Sequence, residues 1–331
     1  MARSKFFWHL LALAVVAVWG VTFVCTKMLI GAGLDPAEIF VVRFSMAYLG
    51  IWVLSLVSRH PRRPGSPSLS LWSRNWQDEL LFVFLGLSGG SFYFLTENTA
   101  LAHTQASNVA FLVCIAPLLT ALLSLLYRRL RHDRFAAALE RVGSGRFLAL
   151  GTLLALGGMA LMLFDGTRVQ VSLRGDLLAL GAALCWSLYS LFMGRLTDEY
   201  GAVFATRKVF FYGLVTIIPF LLGREFAPLE LFRQPVVWGN LLFLGLVASL
   251  ACFVAWNKVM ARIGNITSTN YVYLNPVFTL ISAMVVLGER LTVAGAVGSA
   301  LILLGVILAG CQSHHCHPEP AEGFATRRIC K

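Results

Sequence analysis

Two stretches of the sequence decide the fold: GLSGGSFYFLTENTALAHTQASNVAFLVCIAP at residues 86–117 and GLVASLACFVAWNKVMARIGNITSTNYVYLNP at residues 245–276. They align without a gap, with every matched pair 159 positions apart. The identical pairs include Gly86/Gly245, Leu87/Leu246, Asn98/Asn257, Ala102/Ala261 and Pro117/Pro276. Self-similarity over this length indicates that the chain consists of two related halves.

The composition is that of an integral membrane protein. Of 331 residues, 58% are hydrophobic and 13% are charged, and the mean hydropathy is +0.75. Soluble domains carry about 25% charged residues, so this chain lacks the polar residues for a water-exposed surface. The net charge is +11, and the basic residues lie in short loops between apolar runs. This placement is typical of residues that orient a protein in the membrane rather than of a nucleic-acid-binding face.

Apolar runs of the length that spans a bilayer, about 20 residues, predict ten transmembrane helices. The predicted spans are 8–30, 36–57, 79–101, 107–127, 147–164, 174–195, 202–222, 236–258, 266–287 and 292–311. Two further matches support the duplication, at Trp19-Gly20 against Trp186-Ser187 and at residues 153–161 against 301–309. We therefore predict an all-α polytopic fold made of two five-helix repeats around a central cavity.

Five is an odd number, so the second half is expected to enter the membrane inverted relative to the first. The predicted units are residues 8–164, residues 174–311 and a disordered cytoplasmic tail, 312–331. Inverted repeats are typical of secondary transporters, which bind substrate between the halves. A duplication that is purely structural is the alternative.

The distribution of Lys and Arg predicts the orientation, because cytoplasmic loops are enriched in positive charge. With the N-terminus inside, 20 of the 27 Lys and Arg residues fall on the inner side and five on the outer side; Lys27 and Arg43 lie within spans. Both termini are therefore predicted to face the cytoplasm, in a plasma membrane of the bacterial inner-membrane type.

Several short motifs occur in a fixed order within the two five-helix halves: Trp19-Gly20, Arg43-Phe44, Asn108 to Pro117, Asn275-Pro276, Leu287 to Thr292, Gly298 and Leu303-Leu304-Gly305. Together they resemble the EamA branch of the drug/metabolite transporter superfamily. The first half lacks the Gly-Glu-Arg turn of the second half. The resemblance implies ten helices around a cavity and the export or exchange of a small metabolite, and it does not name the substrate.

Charged side chains inside membrane spans cost free energy and call for an explanation. Glu97 is predicted to couple protons, to bind a cationic group of the substrate, or to neutralise Lys27 or Arg43. Lys27 lies close enough to the membrane surface to extend its ammonium into water. Arg43 lies deeper, which favours a partner or an anionic substrate. At about 1.5 Å per residue, all three lie roughly 5–10 Å below the outer surface and are candidates for one charged layer.

Polar and aromatic side chains at helical spacing give a second group of candidate substrate contacts, with ordinary helix packing as the alternative for each. They are Trp19, Thr22, Tyr93, Asn98, Trp186, Tyr189, Asn257, Asn270 and Tyr273. Aromatic walls with a few amides suit an amphipathic metabolite such as an amino acid. Pro117 and Pro276 are predicted to kink their helices at matched positions and to act as hinges.

The sequence thus predicts a transporter that works by alternating access and is coupled to protons or to the substrate's own gradient. The predicted partners are a small-molecule substrate and the lipid bilayer, with no nucleic acid, metal or cofactor; a homodimer is compatible with the sequence. No nucleotide-binding G-x-x-x-x-G-K-[ST] motif occurs, which argues against ATP-driven transport. The rival functions are a membrane-embedded enzyme acting on a lipid-linked substrate and a non-transporting receptor or scaffold.

Overall fold

A computed structural model describes residues 2–57, 69–130, 146–163, 172–287 and 293–311. These residues form ten helices and contain no β-strand. The helices are α1 (Ala2–Gly31), α2 (Pro36–Val57), α3 (Trp76–His103), α4 (Ala106–Val113 and Ala116–Leu130), α5 (Arg146–Leu163), α6 (Leu173–Tyr200), α7 (Ala202–Leu221), α8 (Pro235–Ile263), α9 (265–287) and α10 (Val293–Cys311).

The helices are apolar on their outer faces as well as in the core. Eight of the described helices are long and apolar enough to cross a membrane, and α10 contains a shorter apolar stretch, Ala296–Gly305. Large apolar side chains are exposed around the bundle, among them Leu49, Val53, Leu153, Ile218 and Val285. An apolar surface of this extent suits contact with lipid.

Contacts between helix ends show how the two halves are oriented. We call the end of the bundle where α1 begins the proximal end and the opposite end the distal end. At the proximal end, His9 of α1 is hydrogen bonded to Tyr271 of α9. At the distal end, Asn108 at the start of α4 donates a hydrogen bond to Asp176 at the start of α6. Helix α1 therefore begins at the proximal end and α6 at the distal end.

Glycines permit the close helix contacts of the bundle. A Cβ atom at Gly20 of α1 would clash with Phe278 of α9, and one at Gly305 of α10 would clash with the backbone of α5 at Gly151. Small residues let helix backbones approach in membranes, where packing rather than the hydrophobic effect holds helices together.

Irregular turns occur at matched positions in the two halves. Helix α3 has wide π-helical turns at Leu87–Phe92, and α8 has them at Phe243–Ala251. Shifted by the repeat distance of 159 residues, the segment in α3 falls within the segment in α8. Such bulges occur frequently at functional sites. Their side chains carry no obvious signature, and the sequence did not predict them.

The two predicted proline kinks coincide with breaks in their helices. Helix α4 stops at Val113 and resumes at Ala116, one residue before Pro117, while α9 passes through a 3₁₀ segment, Asn270–Leu274, before Pro276. Proline lacks an N–H and cannot bond to the carbonyl four residues earlier. The carbonyl freed in this way at Val272 accepts a hydrogen bond from the thiol of Cys114, at 3.0 Å. The two breaks therefore meet.

Some predictions fall outside the described residues. They concern the Gly-Glu-Arg turn at 288–290, the tail 312–331 and the basic loops at 58–68 and 131–145.

Candidate functional site

A cavity lies between the two halves of the bundle, where the helix breaks meet. It has about 400 Å³ of atom-free space, a volume that includes space open to solvent. Its walls come from both halves and are formed by Trp19, Thr22, Phe23, Arg43, Tyr93, Phe94, Glu97, Val113, Trp186, Val272 and Asn275. Val113 ends the first part of α4, and Val272 lies in the 3₁₀ segment of α9. The two valines are matched positions of the repeat.

Aromatic side chains from both halves build one wall of the cavity. Trp19 of α1 and Trp186 of α6, which occupy matched positions, meet edge to face at 5.3 Å. The ring centres of Trp186 and Tyr93 are 5.2 Å apart, and those of Phe94 and its repeat counterpart Phe253 are 6.1 Å apart. Trp19 is fixed by a 3.0 Å hydrogen bond from its indole N–H to the Ala248 carbonyl, which belongs to the π-helical turns of α8.

Arg43 is buried in the wall of the cavity. Its side chain is 2% exposed, and its Nε donates a 3.0 Å hydrogen bond to Ser249 of the other half. The guanidinium lies 4.6 Å from the ring centre of Phe94 and 5.3 Å from that of Phe44, distances at which a cation is attracted to the ring face. Arg43 therefore lies at the cavity wall, and no carboxylate of the described residues pairs with it directly.

Glu97 faces the same cavity from α3. Its Oε1 accepts a 2.9 Å hydrogen bond from the hydroxyl of Tyr93, which is the contact expected for residues spaced i and i+4 on one helix face. Among the residues that the structure describes, no ion pair within 4.0 Å joins Glu97 to Arg43, although the two charges are close enough to interact. The cavity thus has one positive and one negative group in its wall.

Lys27 does not join this pair. Its ammonium donates hydrogen bonds to the carbonyls of Leu101 and, at 2.8 Å, Thr104, at the C-terminal end of α3. Unpaired carbonyls at a helix C-terminus carry partial negative charge and attract cations. The expected layer of three charges is therefore reduced to Arg43 and Glu97.

Three of the candidate amides and tyrosines lie outside the cavity wall, where they form hydrogen bonds between helices. Asn98 donates to the Pro36 carbonyl at the start of α2, at 3.0 Å. Its repeat counterpart Asn257 accepts from Tyr189 at 2.6 Å and donates to Thr206 at 2.7 Å. These three candidates join helices instead of lining the cavity.

Asn270 and Tyr273 are buried in the 3₁₀ segment of α9, on either side of the cavity residue Val272. Neither is part of the cavity wall. Trp19, Thr22, Tyr93, Glu97, Arg43 and Trp186 remain as the candidates that the structure brings to one site.

Two polar residues of the site were missed by the sequence analysis. Ser249 was not among the candidates, and its hydroxyl accepts the hydrogen bond from Arg43. Asn275 lines the cavity, and its Oδ1 is buried without a hydrogen-bond partner among the described residues. The Asn275-Pro276 dipeptide was visible as a repeat motif, and the match of Pro276 with Pro117 was the available signal.

Two ion pairs join the halves at the proximal end of the bundle, one buried and one with a half-exposed arginine. Glu79 at the start of α3 pairs with Lys208 of α7 and accepts a hydrogen bond from Tyr212. Beside it, Asp78 pairs with Arg195 at 3.1 Å and accepts from Tyr200 at 2.7 Å. We call these six residues the proximal lock; all of its pairs join the first half to the second.

Contacts at the distal end also join the halves. Asp35, in the loop between α1 and α2, pairs with Arg224 after α7, with side chains 35% and 44% exposed. Glu38 of α2 accepts a hydrogen bond from the backbone N–H of Ala227 at 3.1 Å. Contacts between the two halves therefore bridge the bundle at both of its ends.

Comparison with known proteins places this architecture in a family. The sequence model of the EamA-like transporter family matches residues 6–164 and again residues 173–311. The chain belongs to the EamA-like transporter family. The expectation of a polytopic membrane protein of this family is confirmed.

Relatives of this EamA-like chain are named as transporters or exporters. An uncharacterized transporter of Archaeoglobus fulgidus is 26% identical over 92% of this chain and 98% of its own length. A probable terminal-alkyne amino-acid exporter of Streptantibioticus cattleyicolor is 26% identical over 93% and 94%. A probable amino-acid metabolite efflux pump of Salmonella typhimurium is 28% identical over 90% and 93%.

A solved crystal structure has the same fold. It superposes with a TM-score of 0.64 at 19% identity and covers 94% of this chain and 98% of the other. The family and the relatives identify the chain as a multi-pass membrane transporter.

Proposed function

We propose that this transporter exports or exchanges a small amphipathic metabolite, such as an amino acid, which binds in the central cavity. The observation that carries the proposal is the cavity itself, which is buried, is lined by both halves and has one cationic and one anionic side chain in its wall. Two relatives are named for the export of amino acids or their metabolites. An aromatic wall with few polar groups suits a solute of this kind.

Alternating access would open the two ends of the bundle in turn. The proximal lock and the Asp35–Arg224 pair lie at opposite ends, and each joins one half to the other. Breaking one set while the other holds would expose the cavity to one side only. Pro117 and Pro276 stand next to the helix breaks at the cavity wall, so we propose them as the hinges of this movement.

Glu97 is the proposed coupling group. A carboxylate inside a membrane bundle carries its charge at a cost in free energy, so it tends to take up a proton unless a cation neutralises it. A proton and a cationic group of the substrate would then compete for Glu97, which couples their movements. Glu97→Gln is expected to fold and, at saturating substrate, to exchange solute without responding to a pH gradient. Continued pH-driven flux in this variant would exclude Glu97 as the coupling group.

We also propose a plasma-membrane location with both termini in the cytoplasm. The relatives come from bacteria and an archaeon, and 20 Lys and Arg residues against five favour this orientation. Reporter fusions at the C-terminus test it: a reporter active only in the cytoplasm should work, and one active only after export should not.

Counterflow in proteoliposomes tests the function. Vesicles holding the full-length chain are loaded with unlabelled amino acids, sugars, nucleosides or polyamines, and the entry of labelled solute is followed. Thr22→Trp, which would fill the cavity, should stop exchange, whereas Leu49→Trp on the exposed outer face (66% exposed) should leave it intact. Exchange of no solute class, or equal exchange by the two folded variants, would overturn the proposal.

A further inference from the structure

Three basic side chains are almost fully buried among the described residues: Arg43, Arg207 and Lys208. Lys208 pairs with Glu79, and Arg43 lies in the wall of the central cavity. Arg207 lies elsewhere, near the proximal end of α7, and it makes no ion pair with a carboxylate of the described ranges. Because a buried charge is normally paired, the missing partner of Arg207 calls for an explanation.

The guanidinium of Arg207 uses only part of its hydrogen-bonding capacity. Its Nη2 donates to the carbonyl of Ser70, in the segment that precedes α3. Its central carbon lies 4.3 Å from the ring centre of Trp52 and 5.2 Å from that of Phe204, within the range of cation–π attraction. Its Nη1 is buried and has no hydrogen-bond partner in the part of the chain that the structure describes. One charged donor group is therefore unused.

Arg207 lies at the depth of the lipid headgroups. It is five positions from the first residue of α7, which is roughly 7–8 Å along the helix axis from the proximal end. Trp52 is likewise five positions from the last residue of α2 at the same end. The headgroup region of a bilayer is about 5–8 Å thick on each side of the hydrocarbon, so the unused donor lies close to its inner boundary.

An apolar seam between α2 and α7 continues from Arg207 into the membrane. Phe211 and Val215 follow Arg207 on the same face of α7, at i+4 and i+8, and they are 39% and 44% exposed. The ring of Tyr48 on α2 lies 6.2 Å from that of Phe211, which places the two helices side by side there. Val53 of α2 is 60% exposed. The seam therefore offers an apolar surface to an acyl chain.

Arg207 does not behave as an ordinary orienting charge. Basic residues near helix ends set the orientation of a membrane protein and extend their charges into water. Arg195, at the same end of the bundle, has a side chain that is 47% exposed, whereas Arg207 is 2% exposed. Its neighbours Trp52 and Ser70 reach the surface, since the first is half-buried and the second exposed. The guanidinium therefore lies just beneath the surface of the seam.

We propose that Arg207 binds the phosphate of an anionic phospholipid, whose acyl chain lies along the seam between α2 and α7. The Nη1 group donates a charge-assisted hydrogen bond to a phosphate oxygen, and the side chain of Trp52 turns aside to admit it. Basic pockets between membrane helices bind anionic headgroups in this way. The lipid supplies the negative charge that the described residues do not provide. This site is separate from the central cavity and does not depend on the proposed transport function.

Lipid binding to the full-length protein in detergent tests the proposal. Native mass spectrometry compares phosphatidylglycerol with phosphatidylcholine, whose phosphate is neutralised by its own ammonium group. The wild type should prefer phosphatidylglycerol by about ten-fold, and Arg207→Gln should reduce this preference to less than about two-fold. The matched control is Arg262→Gln, at the same end of the bundle: Arg262 also lies over a tryptophan ring, 5.9 Å from that of Trp8, but is exposed. This variant should keep the preference.

Fluorescence quenching tests the position of the lipid without a change at Arg207. Phosphatidylglycerol and phosphatidylcholine that are brominated near the headgroup end of their chains quench the tryptophans they contact. The contribution of Trp52 is the difference between the wild type and Trp52→Phe. Quenching of Trp52 should be at least about two-fold stronger with brominated phosphatidylglycerol, because the preferred lipid occupies the seam.

The outcomes are decisive in both directions. Equal affinity of the wild type for the two lipids, or an equal loss of preference in Arg207→Gln and Arg262→Gln, would overturn the proposal. Glycerol phosphate in solution represents the headgroup alone and should raise the melting temperature less than phosphatidylglycerol does; an equal rise would exclude the apolar seam from the site. If Arg207→Gln does not fold, equal quenching of Trp52 by the two brominated lipids would still refute lipid binding there.

Discussion

The buried pair of Glu79 and Lys208 allows the strength of the proximal lock to be predicted. Their side chains are 5% and 4% exposed. Removing one partner of a buried ion pair typically costs 3–5 kcal/mol, because the other charge remains buried and unpaired. Glu79 would retain hydrogen bonds from the Ser73 N–H, at 2.8 Å, and from Tyr212. We therefore expect Lys208→Met to lower the free energy of unfolding by about 3 kcal/mol, the lower end of this range.

A double-mutant cycle measures this coupling. Replacing both partners leaves no unpaired charge, so Glu79→Gln combined with Lys208→Met should cost only about 1 kcal/mol. The assay is unfolding in mixed detergent and dodecyl sulfate micelles, followed by circular dichroism. The exposed pair Asp35–Arg224 is the control, since such pairs contribute about 0.2–1 kcal/mol. If the effects of Glu79→Gln and Lys208→Met add to within about 0.5 kcal/mol, the assignment of the lock to a buried ion pair is refuted.

Five further variants test the packing and the hydrogen bonds of the bundle by the same unfolding measurement. Gly20→Ala should lower the free energy of unfolding by about 1–3 kcal/mol, because its Cβ would clash with Phe278. Gly31→Ala is the control: no atom lies within 4 Å of its Cβ, so stability should change by less than about 0.5 kcal/mol. Similar losses for both variants would contradict the close contact of α1 and α9. Lys27→Met should lower the free energy of unfolding by about 1–2 kcal/mol, because its hydrogen bonds to the end of α3 are lost. The counterflow rate should not change. A loss of exchange in a stable protein would instead indicate that Lys27 contacts the substrate. Trp19→Phe should lower the free energy of unfolding by about 1–3 kcal/mol, because the buried Ala248 carbonyl loses its hydrogen-bond donor. Trp186→Phe should lower it by less, because the indole N–H of Trp186 has no partner among the described residues. A larger loss for Trp186→Phe than for Trp19→Phe would be inconsistent with these contacts.

Features that depend on local spacing could be predicted from the sequence. The contact of Tyr93 with Glu97 follows from their separation by one helical turn. The helix breaks next to Pro117 and Pro276 follow from the missing proline N–H. The repeat matched Trp19 with Trp186 in the sequence, and the contact between them is a finding of the structure.

Contacts between distant segments could not be predicted in this way. Lys208 was counted among the charges that set membrane orientation, whereas it pairs with Glu79, 129 positions earlier in the chain. The partner of Lys27 is a pair of backbone carbonyls, which every residue type provides and no sequence pattern marks. Ser249 reaches Arg43 from the other half, and only the packing of α2 against α8 brings them together.

The central claim is that substrate passes through the cavity as the two ends open in turn. The most direct test is counterflow of a labelled neutral amino acid before and after the distal end is cross-linked. Asp35→Cys and Arg224→Cys, in a chain whose seven native cysteines are replaced by alanine, would be joined by a reducible bifunctional reagent. The account predicts that cross-linking stops counterflow, retains amino-acid binding and is reversed by reduction. Counterflow at the full rate through fully cross-linked protein would contradict it.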